Sequence, residues 1–245
     1  MPRLPRFFIS PDQAAGETIT VSGEDVRHIG AVLRMQAGDE LVLCDGAGTD
    51  YRVRISSRDR DRIVTSVLER SRHEPSRMTI TLGQALPKAD KMDFIVQKAT
   101  ELGVAAIIPL ITERTIMKIR DEEKRSARWR KICREAAMQS NRPDIPVIGP
   151  VKTYAEFVQG AQTGIGTLLL LPWEEGTEPI REVLRSSSSV GEIIVLIGPE
   201  GGISEREADL ACQHGFRPVS LGRNILRAET AALAVLAMIQ YEFPD

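Results

Sequence analysis

The sequence predicts an α/β protein in two parts: a β-rich module over residues 1–72, and a larger domain over 73–245 on a mostly parallel sheet with helices on both faces. Three observations predict it. Residues 17–68 hold short segments of alternating apolar and polar side chains with turn residues between them. From residue 79 onward, short apolar runs alternate with helical patterns. Between the two regimes, Ser71-Arg-His-Glu-Pro75 reads as a linker. Alternating segments suit strands with one wet face, whereas uniformly apolar runs suit strands covered on both faces, as in a parallel sheet flanked by helices.

In the first module Glu17-Thr-Ile-Thr-Val21 and Tyr51-Arg-Val-Arg-Ile55 alternate, Asp39-Glu-Leu-Val-Leu-Cys44 runs into an Asp45-Gly46 turn, and Arg62-Ile-Val-Thr-Ser-Val-Leu68 supplies a further strand. One short helix is expected over 24–34, and an exposed hairpin tip at 58–62. Short strands with frequent turns predict a barrel or sandwich rather than βαβ units. In the second part, strands are expected at 79–86, 104–111, 167–171, 192–197 and 217–221, with helices at 90–102, 121–139, 154–159, 178–185, 204–214 and 227–241. Gly103 and Gly215 stand where helices should stop. Ser204-Glu-Arg-Glu207 fits a capping box, whose hydroxyl and carboxylate satisfy backbone N–H groups that a first helical turn leaves free.

Composition narrows the function. The 245 residues are 42% hydrophobic, enough for a sizeable core. The N-terminal segment predicts no signal peptide, and no apolar stretch approaches the ~20 residues of a membrane span; a soluble, cytoplasmic protein without a membrane partner is expected. Cys44, Cys133 and Cys212 are odd in number and far apart, which argues against a disulfide framework, and no paired Cys or His spacing predicts a metal. A formal net charge of -2 gives no global attraction for nucleic acid. Locally, residues 114–142 carry ten Lys or Arg, Lys118 and Arg120 among them, against four acids. The acids come first in the expected helix, which suits its dipole. That face is either a solvated surface or one that contacts phosphates.

Two segments carry the chemistry. In 193–204 a buried strand leads through Gly198-Pro-Glu-Gly-Gly202 into a capped helix. Ligands of open α/β sheets sit at the carboxyl ends of strands, where glycines admit close backbone approach, although the same spacing also describes an ordinary strand-to-helix turn. It is neither a Walker loop nor a dinucleotide fingerprint. In 219–232 a second strand leads through Gly222 into an apolar helix, with Arg223, Asn224, Arg227, Glu229 and Thr230 crowding the turn. The helix over 231–238 is expected to be buried on most sides, so its polar first turn needs a ligand or a second subunit as partner.

Ile197-Gly-Pro-Glu-Gly-Gly202, Leu221-Gly222 and Ile225-Leu-Arg-Ala-Glu-Thr-Ala231 together resemble the C-terminal signature of the RsmE family, the ribosomal RNA small subunit methyltransferase E enzymes of the SPOUT superfamily. Pro5-Arg-Phe-Phe8, His28-Ile-Gly-Ala-Val-Leu-Arg34 followed by Gly38-Asp39, Asp45-Gly-Ala-Gly48, Lys91 through Gln97-Lys-Ala-Thr-Glu-Leu-Gly-Val104, and Gln139-Ser-Asn-Arg142 extend the resemblance, in order, over essentially the whole chain. The resemblance implies a PUA-like N-terminal barrel that binds RNA, a C-terminal domain with a deep trefoil knot, and a homodimer. It implies methyl transfer from S-adenosylmethionine to N3 of one uridine of 16S ribosomal RNA, in the small subunit near the decoding centre. Neither periodicity nor composition points to a knot.

The resemblance also assigns a cofactor pocket to three loops. The first is Leu170, Leu171 and Pro172. The second is Ile197, Gly198, Pro199, Glu200, Gly201 and Gly202. The third holds Leu221, Gly222, Ile225, Leu226, Arg227, Thr230 and Ala231. A sulfonium methyl is already electrophilic, so the protein mainly has to align the uracil nitrogen and help remove its proton. Arg227 is the candidate for stabilising the uracil anion. Glu229 and Glu200 are the carboxylates in the right segments for a base, and each reads equally well as a structural acceptor. Arg6, Arg27, Arg34 and Arg142 are candidates for RNA phosphate contact, with surface solvation the competing account. Aromatic residues make up only 4% of the chain, so recognition is expected to rest on shape and backbone rather than stacking. Two other readings remain open: a SPOUT enzyme acting at another RNA position, and a non-catalytic assembly factor.

Overall fold

The computed structural model describes residues 4–14, 16–116, 121–161, 164–187 and 189–244. They form two compact units, Met1–Pro75 with Ala137–Ile145, and Ser76–Ala136 with Pro146–Asp245. The first cut falls beside the linker at 71–75. The return of 137–145 to the first unit corresponds to no change in sequence pattern.

In the first unit, β1 (Arg6–Phe8), β2 (Thr18–Ser22), β3 (Glu40–Cys44), β4 (Thr49–Arg58) and β5 (Arg62–Arg72) make one curled sheet in the order β1-β3-β4-β5-β2. β1 runs parallel to β3 and the other pairs are antiparallel. The alternation does what it predicts: Ile19 and Val21 point inward between exposed Thr18, Thr20 and Ser22, and join Leu41, Leu43, Val53, Ile55 and Ile63 in the core. Asp45 forms the turn after β3, its Oδ1 accepting from the amides of Ala47 and Thr49 at 2.8 and 2.9 Å. β1 was not expected, because Arg-Phe-Phe is too short to alternate.

The helix expected over 24–34 is divided. α1 (Glu24–Arg27) passes into a π-helical turn, His28–Val32, closed by the Leu33 N–H on the His28 carbonyl at 3.0 Å. Gly30 lies under the Arg58 guanidinium, where a Cβ would come within 2.8 Å of Arg58 Cζ, and Arg58 donates to the Met35 carbonyl at 2.9 Å. Apolar periodicity cannot separate α from π turns over so few residues.

In the second unit, β6 (Thr79–Ala85), β7 (Ala106–Ile111), β8 (Val147–Ile148), β9 (Lys152–Thr153), β10 (Thr167–Pro172), β11 (Glu178–Pro179), β12 (Glu192–Ile197) and β13 (Arg217–Ser220) form a sheet ordered β11-β13-β10-β12-β6-β7-β8, with β9 also on β7. Every pairing is parallel. The five expected strands are all present. The two-residue strands β8, β9 and β11 carry no periodicity to read. Six helices accompany them among the described residues: α2 (Lys91–Glu101), α3 (Glu122–Ser140, of which 137–140 belong to the first unit), α4 (Tyr154–Gly160), α5 (Ile180–Ser186), α6 (Glu205–Gln213) and α7 (Ala228–Glu242). Leu169, Leu171, Ile194 and Leu196 pack with side chains of α4 and α6, and the intervening Leu170, Ile193, Val195 and Ile197, equally buried, project to the other face. Burial on both faces explains why β10 and β12 read as unbroken apolar runs.

α2 stops at Gly103 and α6 before Gly215, both at positive φ as their positions predict. The Ser204–Glu207 capping box forms, and a second one, Thr153 with Glu156, starts α4. α7 corrects an expectation. Ala232, Val235, Leu236 and Ile239 form its buried stripe, while Ala237, Met238 and Tyr241 are exposed, Tyr241 by 84%. A helix rich in alanine and leucine reads as apolar all round, yet one chain covers only one side of it. No helix among the described residues is long and apolar enough to cross a membrane.

Candidate active site

β10 has β12 and β13 as its neighbours, so two strands that follow it in the chain flank it on either side. Their carboxyl ends, Pro172, Ile197 and Ser220, open together on a cavity of about 300 Å³. This is the end of a parallel sheet where loops leave the strands and ligands gather. Three segments wall it: Pro172, Trp173 and Glu174; 197–200 with Gly202 and Ile203; and 220–228 with Ala231.

The 198–202 turn is shaped by its glycines. Gly202 has φ +72, and a Cβ on Gly198 would lie 2.9 Å from Ile203 Cγ1. Arg114, which follows β7, donates to the Gly201 carbonyl at 2.7 Å. Glu113 reinforces the exit from the turn: its amide donates to Glu207 Oε1 at 2.8 Å and its carboxylate accepts from Ser204 Oγ at 2.8 Å.

Glu200 is engaged from outside the turn. The Lys88 amide donates to its two oxygens at 3.1 and 3.2 Å, and Lys91 Nζ reaches Oε1 at 3.0 Å. The same ammonium lies 3.3 Å from Glu229 Oε2 in the first turn of α7. Lys91 thereby ties two loops of the cavity to the start of α2. Partial burial pushes the Glu200 carboxyl up, but hydrogen bonds from Lys91 and from backbone amides, with the Lys91 charge, outweigh it and hold the group below its ordinary value. The hydrogen bond to Glu200 raises Lys91 above its ordinary value, with Glu229 adding to it. A carboxylate so held is a weak base.

Arg227 is the N-cap residue of α7, lines the cavity and is exposed. The buried helix start expected from sequence is therefore corrected: α7 opens at the cavity mouth, among exposed Gly222, Arg223, Asn224 and Ile225. A guanidinium beside the free N–H groups of a helix start makes a locus for negative charge.

The expected cofactor residues divide in three. Pro172, Ile197, Gly198, Pro199, Glu200, Gly202, Leu221, Gly222, Ile225, Leu226, Arg227 and Ala231 line the cavity. Leu170 and Leu171 do not, being wholly buried inside the sheet, because only the end of β10 reaches the opening. Gly201 and Thr230 adjoin the lining without entering it, as does Glu229, which faces Lys91. Trp173, Glu174, Ile203, Ser220, Arg223, Asn224 and Ala228 were not assigned. Trp173 and Glu174 follow directly on the strand end at Pro172, whereas nothing local ties Lys91, which opens the resembling segment at 91–104, or Arg114, which opens the basic run, to this cavity.

The basic candidates also divide. Arg6 pairs with Asp50 through both terminal nitrogens and donates to the Arg142 carbonyl at 3.2 Å, and its side chain is 10% exposed. Arg142 binds Asp144, with its side chain 12% exposed. Both guanidiniums are committed inside the first unit, whereas Arg27 and Arg34 are exposed. In the basic run, Arg128 pairs with Asp93 and Arg114 with Gly201, so part of that charge is structural; Lys118 and Arg120 lie outside the described residues.

An RNA methyltransferase domain family matches residues 74–240, and an RNA methyltransferase PUA domain family matches residues 21–68. The chain is 36% identical to the ribosomal RNA small subunit methyltransferase E of Synechocystis, covering 96% of this chain and 76% of that one. It is 32% identical to the protein of the same name from Bacillus subtilis, over 98% and 97% of the two chains. Among solved structures, the ribosomal RNA small subunit methyltransferase E of Neisseria gonorrhoeae bound to S-adenosylmethionine superposes with a TM-score of 0.86 at 33% identity, over 98% of each chain. A methyltransferase of Legionella pneumophila in complex with the same cofactor superposes with a TM-score of 0.84 at 31% identity, again over 98% of each.

Proposed function

The chain belongs to the ribosomal RNA small subunit methyltransferase E family, and on that premise we propose that it methylates N3 of one uridine of 16S ribosomal RNA near the decoding centre, with S-adenosylmethionine as donor. The observation that carries the reading is a cavity at the joined ends of β10, β12 and β13, whose walls hold most of the residues that the family signature assigns to the cofactor. Its chemistry fits such a ligand. Ile197, Leu221 and Leu226 offer apolar contact, Glu174 and Glu200 face a donor that carries positive charge, and Arg223 and Arg227 suit an amino-acid carboxylate or the uracil.

When bound, the cofactor supplies an electrophilic methyl group. The chain's own part is orientation and charge. N3 of uracil attacks well only as its anion, whose charge spreads onto the flanking carbonyl oxygens. Arg227 and the start of α7 stabilise that anion, and the exposed mouth lets its proton leave to solvent. Glu200 and Glu229, held by Lys91, position the loops rather than take the proton. The first unit carries the RNA, with exposed Arg27 and Arg34 beside its π turn among the contacting residues. The enzyme works in the cytoplasm as a knotted homodimer in which a second copy covers Met238 and Tyr241 of α7.

Methyl transfer from labelled donor to unmodified small subunits and, separately, to naked RNA, followed by nucleoside analysis, tests this reading. N3-methyluridine is the predicted product. A labelled 2′-O-methyl ribose would replace the assigned position, and no transfer to either substrate by a folded protein would replace the enzymatic reading with an assembly factor.

A further inference from the structure

Three buried side-chain atoms have no hydrogen-bond partner among the described residues: Gln84 Oε1, Glu229 Oε2 and Trp173 Nε1. Glu229 Oε2 still faces the Lys91 ammonium, and Gln84 is outside the cavity lining. Trp173 is in the lining. An indole nitrogen can only donate, and a buried donor without an acceptor is costly enough that such atoms are rare unless something else satisfies them. The residue is pinned where it stands. Its amide donates to the Val219 carbonyl at 3.1 Å and its carbonyl accepts from the Gly176 amide at 3.0 Å.

We propose that Trp173 is a specificity-determining residue for the adenosine half of the donor. Its indole N–H gives a hydrogen bond to a neutral acceptor there, an adenine ring nitrogen or a ribose oxygen. This rests on the cavity's being the S-adenosylmethionine site. Charge selects the adenosine half: the methionine half offers an N–H donor only its carboxylate, which Glu174, the next residue and also in the lining, repels, whereas Arg223 on the third loop attracts it. The carboxylate therefore goes to Arg223 and leaves Trp173 to the nucleoside.

The chain has two tryptophans, and the second is a built-in reference. Trp129 is buried on α3, and its Nε1 donates to Asp93 Oδ1 at 3.1 Å, away from the cavity. Indole N–H resonances of the ¹⁵N-labelled protein are to be followed while S-adenosylhomocysteine, adenosine or methionine is added, with calorimetric Kd values for the wild type and Trp173→Phe. One indole resonance, absent from Trp173→Phe, shifts with S-adenosylhomocysteine and with adenosine but not with methionine. Trp173→Phe binds S-adenosylhomocysteine about threefold to tenfold more weakly. If S-adenosylhomocysteine binds while neither indole moves, or if Trp173→Phe binds as tightly as the wild type, the role of Trp173 is overturned and the cofactor site stands. If the wild type binds no S-adenosylhomocysteine, both fall. Should Trp173→Phe not fold, the wild-type spectra decide alone.

Discussion

At the scale of single residues, Arg227 and Glu200 have opposite fates although both lie in the cavity wall. Arg227 is an exposed cation at a helix start, free to meet a developing anion. Arg227→Ala is predicted to lower kcat about 10²- to 10³-fold, as loss of one preorganised donor does, with S-adenosylhomocysteine affinity nearly unchanged. Single-turnover methylation beside calorimetry checks this, and near-normal turnover would remove Arg227 from the chemistry. Glu200 is tied down by Lys88 and Lys91. Its depressed pKa makes the pairing fully present above the ordinary glutamate value of 4.5 and lost as pH falls through the lower folded value. Lys91's raised pKa makes its share fully present below 10.5 and lost as pH rises through the higher folded value. The share of stability that this pairing contributes is therefore predicted to be flat between those limits, and its loss near neutrality, read as a difference between the wild type and Lys91→Met in urea unfolding, would contradict the assignment. The family signature pointed to both residues, but which one is free depends on Lys91, far away in sequence and visible only after folding.

At the scale of elements, part of the local chemistry between neighbours in the chain was readable. The capping box of α6 is the clearest case, and Ser204 adds a bond to Glu113 that no local pattern announces. Ser204→Ala is predicted to cost about 1 kcal/mol of stability, measured by urea unfolding, with Thr153→Ala at the equivalent cap of α4 costing a similar amount. β10 and β12 were legible because burial on both faces removes polar residues from their centres. β1, β8, β9 and β11 were not, because strands of two or three residues exist only through their partners. The π turn at His28–Val32 was read as ordinary helix for want of any periodicity that separates the two. Leu170 and Leu171 were assigned to the cofactor by the family resemblance, and of that segment only Pro172, the last residue of the strand, lines the cavity.

At the scale of the whole molecule, the first cut between the two units falls beside the change in sequence grammar near residue 75, whereas the return of 137–145 to the first unit and the strand order have no counterpart in it. That β12 and β13 flank β10 is a long-range choice, and it is the choice that brings three loops to one cavity. The exposed side of α7 belongs to this scale too. Tyr241→Asp is predicted to convert a dimer into a monomer in light scattering, since a charge there would be buried unpaired in the interface; a wild-type protein that is monomeric at micromolar concentration would contradict the dimer. The most direct test of the central claim, that the joined ends of β10, β12 and β13 hold the methyl donor, is a crystal structure grown with S-adenosylhomocysteine. Ligand density against Ile197, Leu221 and Leu226 is the predicted result, and density elsewhere on the chain, or none at saturating ligand, would contradict it.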